Sequence, residues 1–383
     1  MTTTKARPRA AMLALHFAEY ALRLSEALQR DHADLLFVTY ADHAKNELGP
    51  GWAEAARATG LRVLALERPR GPWQVLVNAW RLSRELARFA PGCLHVQEAL
   101  RDELALVLAL HRAVPVVLTV HDPEPHLGLD AQRMRGKRRR LYRQWLRRRA
   151  RLAITHGRVL VETLERVEPA LQGRVRAVAH GPLGGPPAAG PVPCDPIRLL
   201  FFGRVEAYKG LRYLVEAVRL LRARDLMVRA VVAGRGTDLA ACREAMAELD
   251  AFEVHERYIG ANEVPALFHN CAAVVLPYVE GTQSGVAAMA LGFGRPVIAT
   301  SVGSIPELVR HGENGLLVAP ADAQALAAAI ASLAAEPGGF QRLADGARRL
   351  ADGALGWACI AAATAAVYAE AASPIATAPP RTS

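Results

Sequence analysis

Two doubly wound α/β domains in tandem, each a parallel sheet with helices on both faces, form the fold class that this sequence predicts. Three observations lead there. Short apolar runs alternate with amphipathic stretches through both halves of the chain, a glycine- and proline-rich break at Gly181–Pro196 parts the halves, and 383 residues exceed one compact core.

In the first half, Ala11–Leu15, Asp34–Tyr40, Leu61–Leu66, Cys93–Val96, Val114–Val120, Leu152–Thr155 and Val175–Val178 read as strands. Helical patterns lie between them at Tyr20–Arg30, Trp73–Phe89 and Arg133–Arg149. The break cannot hold a helix or an interior strand, so residues 182–196 read as the linker after a first domain over 1–181. The rhythm then resumes with strands at Ile197–Phe202, Val228–Ala233, Glu253–Tyr258, Ala273–Pro277, Pro296–Thr300 and Gly315–Val318, giving a second domain over 197–355. A last helix over 356–372 reads as returning to the first domain, and residues 373–383 as a disordered tail.

Composition excludes several classes of protein. Hydrophobic residues make up 51%, enough for a packed core, and the five scattered cysteines include no CxxC pair. The alanine-rich stretch Gly353–Ala369 falls short of the ~20 strongly apolar residues of a membrane span and reads as a buried helix. A polar start and an interrupted apolar run make a poor secretory signal, so a cytoplasmic location is expected.

The net charge of +10 is concentrated. Eleven cations and no acid lie between Arg133 and Arg151, more than the whole net charge. With Leu141, Trp145 and Leu152 as a thin apolar stripe, this segment reads either as a solvated helix face or as a contact for an anionic membrane surface at its inner, cytoplasmic side. No zinc, helix-turn-helix or aromatic-interleaved sheet motif supports nucleic acid.

Chemistry concentrates where strands end. After Ile197–Phe202 come Gly203-Arg204 and Lys209-Gly210, then a helix. Glycine lets a ligand approach the backbone, Arg204 can fork onto phosphate oxygens, Lys209 adds a point charge and the helix adds its positive end, a suitable cradle for a diphosphate. The alternative is an ordinary loop with solvated charges. A second cradle follows the strand ending at Pro277: in Glu280-Gly281-Thr282-Gln283-Ser284-Gly285-Val286, Thr282 or Ser284 can cap the next helix while amides near Gly285 and Val286 stay open. In the first half, Thr119-Val120-His121-Asp122 ends a strand before Pro123, which leaves His121 exposed at the expected cleft, where it can donate to a hydroxyl or to developing charge. His16 and the pair His180-Gly181 end other strands on the same side.

The ordered set Phe202-Gly203-Arg204, Lys209-Gly210, Ala233-Gly234, Tyr258-Ile259-Gly260, Pro277 to Gly285, Gly294-Arg295-Pro296-Val297, Gly303-Ser304-Ile305-Pro306-Glu307 and Gly312-Glu313-Asn314-Gly315 closely resembles the donor-binding half of glycosyltransferase family 4. The resemblance covers roughly Ile197 to Val318. It implies a GT-B fold of two Rossmann-like domains facing across a cleft, and a retaining enzyme that moves a sugar from a nucleotide-diphosphate sugar of UDP or GDP type to a glycan or lipid-linked acceptor hydroxyl. It also implies that Arg204 and Lys209 hold the diphosphate and that His121 lies by the donor sugar. Gly234, Asp122, His180 and Glu307 border the cleft in weaker roles.

The usual pair of donor-site glutamates is not intact: alignment on Gly294–Val297 puts the first at Gly281, beside Glu280, and the second at Met289. Thr282-Gln283-Ser284-Gly285 is similar to a variant loop in which hydroxyls and amides contact the donor. No DxD motif occurs, so no metal or other cofactor is expected. The rival readings are a sugar-nucleotide epimerase of the same fold and a non-catalytic subunit that binds nucleotide sugars.

Overall fold

The computed structural model describes residues 7–124, 136–187 and 189–373. Two parallel sheets organise the chain. The first has seven strands in the order β3-β2-β1-β4-β5-β6-β7, formed by β1 (Arg9–Ala14), β2 (Asp34–Tyr40), β3 (Arg62–Leu66), β4 (Cys93–Gln97), β5 (Val116–Thr119), β6 (Leu152–Thr155) and β7 (Val175–Ala177). The second has six in the order β10-β9-β8-β11-β12-β13, from β8 (Ile197–Phe202), β9 (Val228–Ala233), β10 (Phe252–His255), β11 (Ala273–Leu276), β12 (Val297–Thr300) and β13 (Gly315–Val318). β10 closes at His255 instead of running to Tyr258, which is exposed.

Both orders reverse direction at a switch point, between β1 and β4 and between β8 and β11, and crevices for ligands open there at the carboxyl ends. The strands are near-continuous apolar runs because helices bury both faces. Leu199, Leu200 and Phe201, for instance, are all buried although they alternate sides.

On one face of the first sheet lie α1 (Ala18–Asp31), α2 (Ala41–Leu48), α3 (Trp52–Ala58) and the final helix α15 (Trp357–Ala372). On the other lie α4 (Pro72–Phe89), α5 (Asp102–Leu110), α6 (Lys137–Arg149) and α7 (Arg158–Val167). The second sheet is covered by α8 (Leu211–Arg222), α9 (Asp238–Glu248), α13 (Ala323–Ala335) and part of α14 (Gly339–Asp352) on one face. Its other face holds α10 (Val264–His269), α11 (Gly285–Gly292), α12 (Ile305–Leu308) and the rest of α14. The apolar stripe of α8, Leu211, Leu214, Val215, Val218 and Leu221, follows the helical period, which is why this segment folds against its sheet.

By length and composition Gly339–Ala372 could cross a membrane, but the helix breaks at Gly353 and its large apolar residues pack on protein. Leu343 and Leu350 enter the second domain, while Ile360, Val367 and Tyr368 enter the first. α15 therefore packs against α1. Residues 374–383, expected as a tail, lie outside the described residues.

Candidate functional site

Two loops meet at the β8/β11 switch point. Gly203, at φ 99°, turns the chain out of β8, and its carbonyl is so close to Gly234 that a Cβ there would lie 1.8 Å from it. Gly210, at φ 70°, presses on the end of β11, where a Cβ would lie 2.0 Å from the Pro277 carbonyl. No side chain fits either position, so glycine is what brings the two loops together.

Lys209, on the short turn Ala207–Lys209, thereby reaches across to Tyr278: its Nζ donates to the phenol oxygen at 3.0 Å and sits 4.7 Å from the ring centroid. The Tyr278 hydroxyl in turn lies 3.4 Å from Ser284 Oγ, so one polar chain links the first cationic loop to the second cradle. Arg204 is exposed on the same loop as Lys209.

Within the second cradle, Ser284 is the cap of α11, its Oγ accepting from Ala287 N at 3.2 Å. Thr282 serves elsewhere: its Oγ1 donates to Asp122 Oδ1 at 2.5 Å, across the interdomain cleft. Ser304 N and Oγ both donate to the Thr282 carbonyl, at 2.8 and 2.9 Å, and fix the loop from the β12 side. Open space adjoins Gly285 where a Cβ would sit, and Val286 packs near Gly203. Glu280, Gly281 and Thr282 line a cavity of about 540 Å³ with Arg140, Arg143 and Arg147 of the first domain. Gln283 lines a separate cavity of about 200 Å³ with His156, His180, Ser304 and Glu307, and its Oε1 is buried without a hydrogen-bond partner. Met289, where alignment on Gly294–Val297 puts the second donor-site glutamate, packs on the core of the second domain.

Glu307 closes a second bridge between the domains. Its carboxylate oxygens accept from the backbone N–H of Arg158 at 2.9 Å and of Val159 at 3.3 Å, at the positive end of α7. Gly157 makes this approach possible, since a Cβ there would lie 2.6 Å from Glu307 Oε1. The role is an interdomain clasp.

The first-domain side differs from expectation. His121 is buried, not exposed: Nε2 donates to Gln97 Oε1 at 2.8 Å, Nδ1 faces His156 Nε2 at 3.2 Å, and the ring of Phe17 stacks over it at 3.8 Å. Phe17 holds a left-handed backbone (φ 57°) as the residue before α1. The histidine predicted to face the cleft thus lies beneath an aromatic side chain. His180 is buried too, with Nδ1 donating to the Gly181 carbonyl at 2.8 Å.

His16 is exposed and stacks on Phe17 from the other side, its Nδ1 lying 3.4 Å from His43 Nε2. His156, which sequence reasoning missed, joins His121 and His180 in a buried cluster whose ring nitrogens lie within 4.8 Å of one another. This spacing suits a three-imidazole metal set, but His121 already uses both of its nitrogens within the protein. Burial drives the cluster toward neutrality: it pushes His156 down to about 3 and His180 to about 4, and burial and its histidine neighbours hold His121 well below the usual range.

The basic segment divides. Arg133 and Arg135 lie outside the described residues. Leu152 belongs to β6, so the apolar stripe keeps only Leu141 and Trp145. Arg147 is buried and paired with Glu98 at 2.7 Å, also donating to the Pro123 carbonyl. Arg149 donates to three carbonyls after α5. These two cations hold the fold together, whereas Lys137 to Arg140 face outward.

Two family models match the chain: Glycosyltransferase Family 4 over residues 18–181 and Glycosyl transferases group 1 over 196–336. Among relatives, the glycogen synthase of Mycobacterium tuberculosis is 28% identical over 287 residues, 73% of this chain and 68% of that protein. The D-inositol 3-phosphate glycosyltransferase of an Arthrobacter strain is 36% identical over 134 residues, 33% of this chain and 32% of that protein. Among solved structures, sucrose-phosphate synthase from Thermosynechococcus elongatus superimposes with a TM-score of 0.70 at 20% identity, covering 95% of this chain and 99% of that one. Anabaena HepE in complex with UDP-glucose gives 0.68 at 16% identity, covering 94% and 99%. With two Rossmann-like domains in GT-B arrangement and both halves matched, the chain is a glycosyltransferase and belongs to glycosyltransferase family 4.

Proposed function

We propose that this glycosyltransferase uses a nucleotide-diphosphate sugar of UDP or GDP type and transfers the sugar, with retention of anomeric configuration, to a hydroxyl of a glycan or lipid-linked acceptor. The observation that carries the reading is the convergence of Lys209 with the Tyr278–Val286 loop at the β8/β11 switch point. Complexes of the Anabaena neighbour with UDP and with UDP-glucose support a donor of that class.

Departure of the nucleoside diphosphate builds negative charge on its outer phosphate. Arg204 forks onto the phosphate oxygens, Lys209 adds a point charge held in place by Tyr278, and the open N–H groups beginning α11 at Gly285 supply fixed dipoles. Because these groups are in place before the bond breaks, the charge is met without reorganisation. In the retaining route that the family resemblance implies, the acceptor attacks on the face the diphosphate leaves, and the phosphate takes the proton. Glu280 and Thr282 flank the sugar, with Thr282 held by Asp122. His121 supports Phe17 from below and acts as a positioning residue.

Calorimetric titration with UDP and GDP tests the cradle. Arg204→Ala and Lys209→Ala are each expected to weaken binding about tenfold or more, the worth of a charge-assisted contact to phosphate. Wild-type titration in both variants would refute the assignment. Labelled-sugar incorporation into an acceptor separates transfer from interconversion of the free sugar nucleotide, the epimerase outcome.

A further inference from the structure

Exposed apolar side chains are concentrated on one side of the first domain. Of the eleven large hydrophobic residues exposed among the described residues, seven lie on the neighbouring helices α4, α5 and α6. Trp73 (78% exposed), Leu76 and Trp80 (60%) form a single stripe on α4, Leu106 and Leu110 (71%) lie on α5, and Leu141 (65%) and Trp145 on α6. The inner residues of the same helices, Leu82, Leu86, Leu104, Leu108 and Leu146, share one core on one face of the sheet, so the outer residues share one outer surface. The helices are also pinned together, Arg138 to Asp102 at 3.0 Å and the Tyr142 hydroxyl to the Arg101 carbonyl at 2.8 Å.

Cations prevail on this surface. α4 carries Arg81, Arg84 and Arg88 and α6 turns Lys137, Arg138, Arg139 and Arg140 outward, against Glu85 and Asp102, while Glu103 is buried. Arg84 continues the tryptophan stripe and lies 5.4 Å from the Trp80 ring. Indole rings at the level of lipid headgroups, flanked by cations, are the chemistry of an interfacial helix. The sequence carries no zinc, helix-turn-helix or aromatic-interleaved sheet motif of a nucleic-acid binder, and an apolar stripe bordered by cations matches the layered chemistry of an anionic bilayer, hydrocarbon beside headgroup phosphate.

We propose that the outer face of α4, α5 and α6 docks the first domain on an anionic lipid bilayer, with Trp73, Leu76 and Trp80 entering the interface and Arg84 and Lys137–Arg140 lying over headgroup phosphates. Such docking is independent of the transfer reaction, and the apolar side chains of α4 and α5 supply the insertion that the basic segment lacks. Because Arg140 also lines the cavity beside Glu280 and Thr282, the mouth of the cleft opens at the edge of the docked face.

Sedimentation of the full chain with phosphatidylcholine–phosphatidylglycerol vesicles tests this, against pure phosphatidylcholine vesicles. The wild type is expected to sediment with the anionic vesicles only, and its tryptophan emission to be quenched by brominated lipid. Trp73→Ser with Trp80→Ser, both exposed, is expected to weaken binding about tenfold or more with an unchanged melting curve. Arg139→Gln with Arg140→Gln is expected to cost about fivefold per cation. No binding to anionic vesicles, no quenching in the bound wild type, or full binding by the tryptophan variant would each overturn the proposal. So would a stable dimer of the wild type that the tryptophan variant dissociates, since a second copy would then cover the face. Quenching in the wild type decides the matter even if the variant fails to fold.

Discussion

Acidification from about pH 7.5 to about pH 5.5 should destabilise the first domain far more than the second. His95, His121, His156 and His180 are all buried, and burial holds each well below the histidine reference of 6.5, with His95 and His156 pushed down to about 3 and His180 to about 4. The folded state keeps these rings neutral throughout that range. Once unfolded they titrate near 6.5, so below that pH the unfolded state binds more protons and stability falls as pH falls. The loss begins near the unfolded value and continues down to the folded ones. One unit below the reference, each ring costs a little over ~1 kcal/mol, or about 5 kcal/mol for four, which rivals the stability of a whole domain. Glu19 and Glu26, which burial raises, oppose this as two carboxyls against four rings.

Scanning calorimetry at the two pH values checks it: the first-domain transition should drop by roughly 10–20 °C, at about 2–4 °C per kcal/mol for a domain of this size. His180→Asn should reduce the drop by about a quarter. A transition that moves by less than a few degrees would refute the reasoning, because it would mean that the folded cluster takes up protons as readily as the unfolded chain.

Two further outcomes follow from the packing. Gly234→Ala puts a Cβ 1.8 Å from the Gly203 carbonyl at φ 149° and should cost about 3 kcal/mol or more by thermal melting, whereas Gly285→Ala, with nothing within 4 Å, should melt like the wild type and weaken only UDP binding. Glu307→Ala removes the carboxylate from the α7 terminus and should cost about 1–2 kcal/mol while widening the cleft. Unchanged small-angle scattering and an unchanged melt would show that the clasp holds nothing.

Most of the fold was legible because parallel strands buried on both faces write themselves as uninterrupted apolar runs: β2, β6, β8, β9 and β13 fall on the expected residues. β10 stops short of Tyr258, the one strand-forming residue in the expected extension, because Glu256, Arg257 and Tyr258 all face solvent. The second-domain loops were legible for a similar reason: glycines at strand ends and Ser284 before α11 act through local backbone geometry.

The first-domain side was not. Whether His121 faces water depends on Phe17, more than a hundred residues earlier, adopting a left-handed turn over it, and no local pattern encodes that contact. His156 was passed over for the same reason, its partners being the Val178 carbonyl and the His121 ring. In the basic segment, charge alone could not tell Arg147, neutralised by Glu98 far back in the chain, from Arg139 and Arg140 on the surface.

The return of α15 to the first domain has a mechanical consequence. The chain passes between the domains twice, and the passages touch: Trp357 lies against Gly181, and its indole N–H donates to the Pro182 carbonyl at 3.0 Å. Two adjacent pins make a door hinge, which permits swinging about the line that joins them and resists shear and twist. Opening and shutting is thereby reduced to a single coordinate, along which Thr282–Asp122 and Glu307–α7 act as latches on the free edge. A chain cut before Trp357 would lose one pin together with the buried Ile360, Val367 and Tyr368, each worth about 1.5–3 kcal/mol, and the remaining lobe would swivel without a fixed axis.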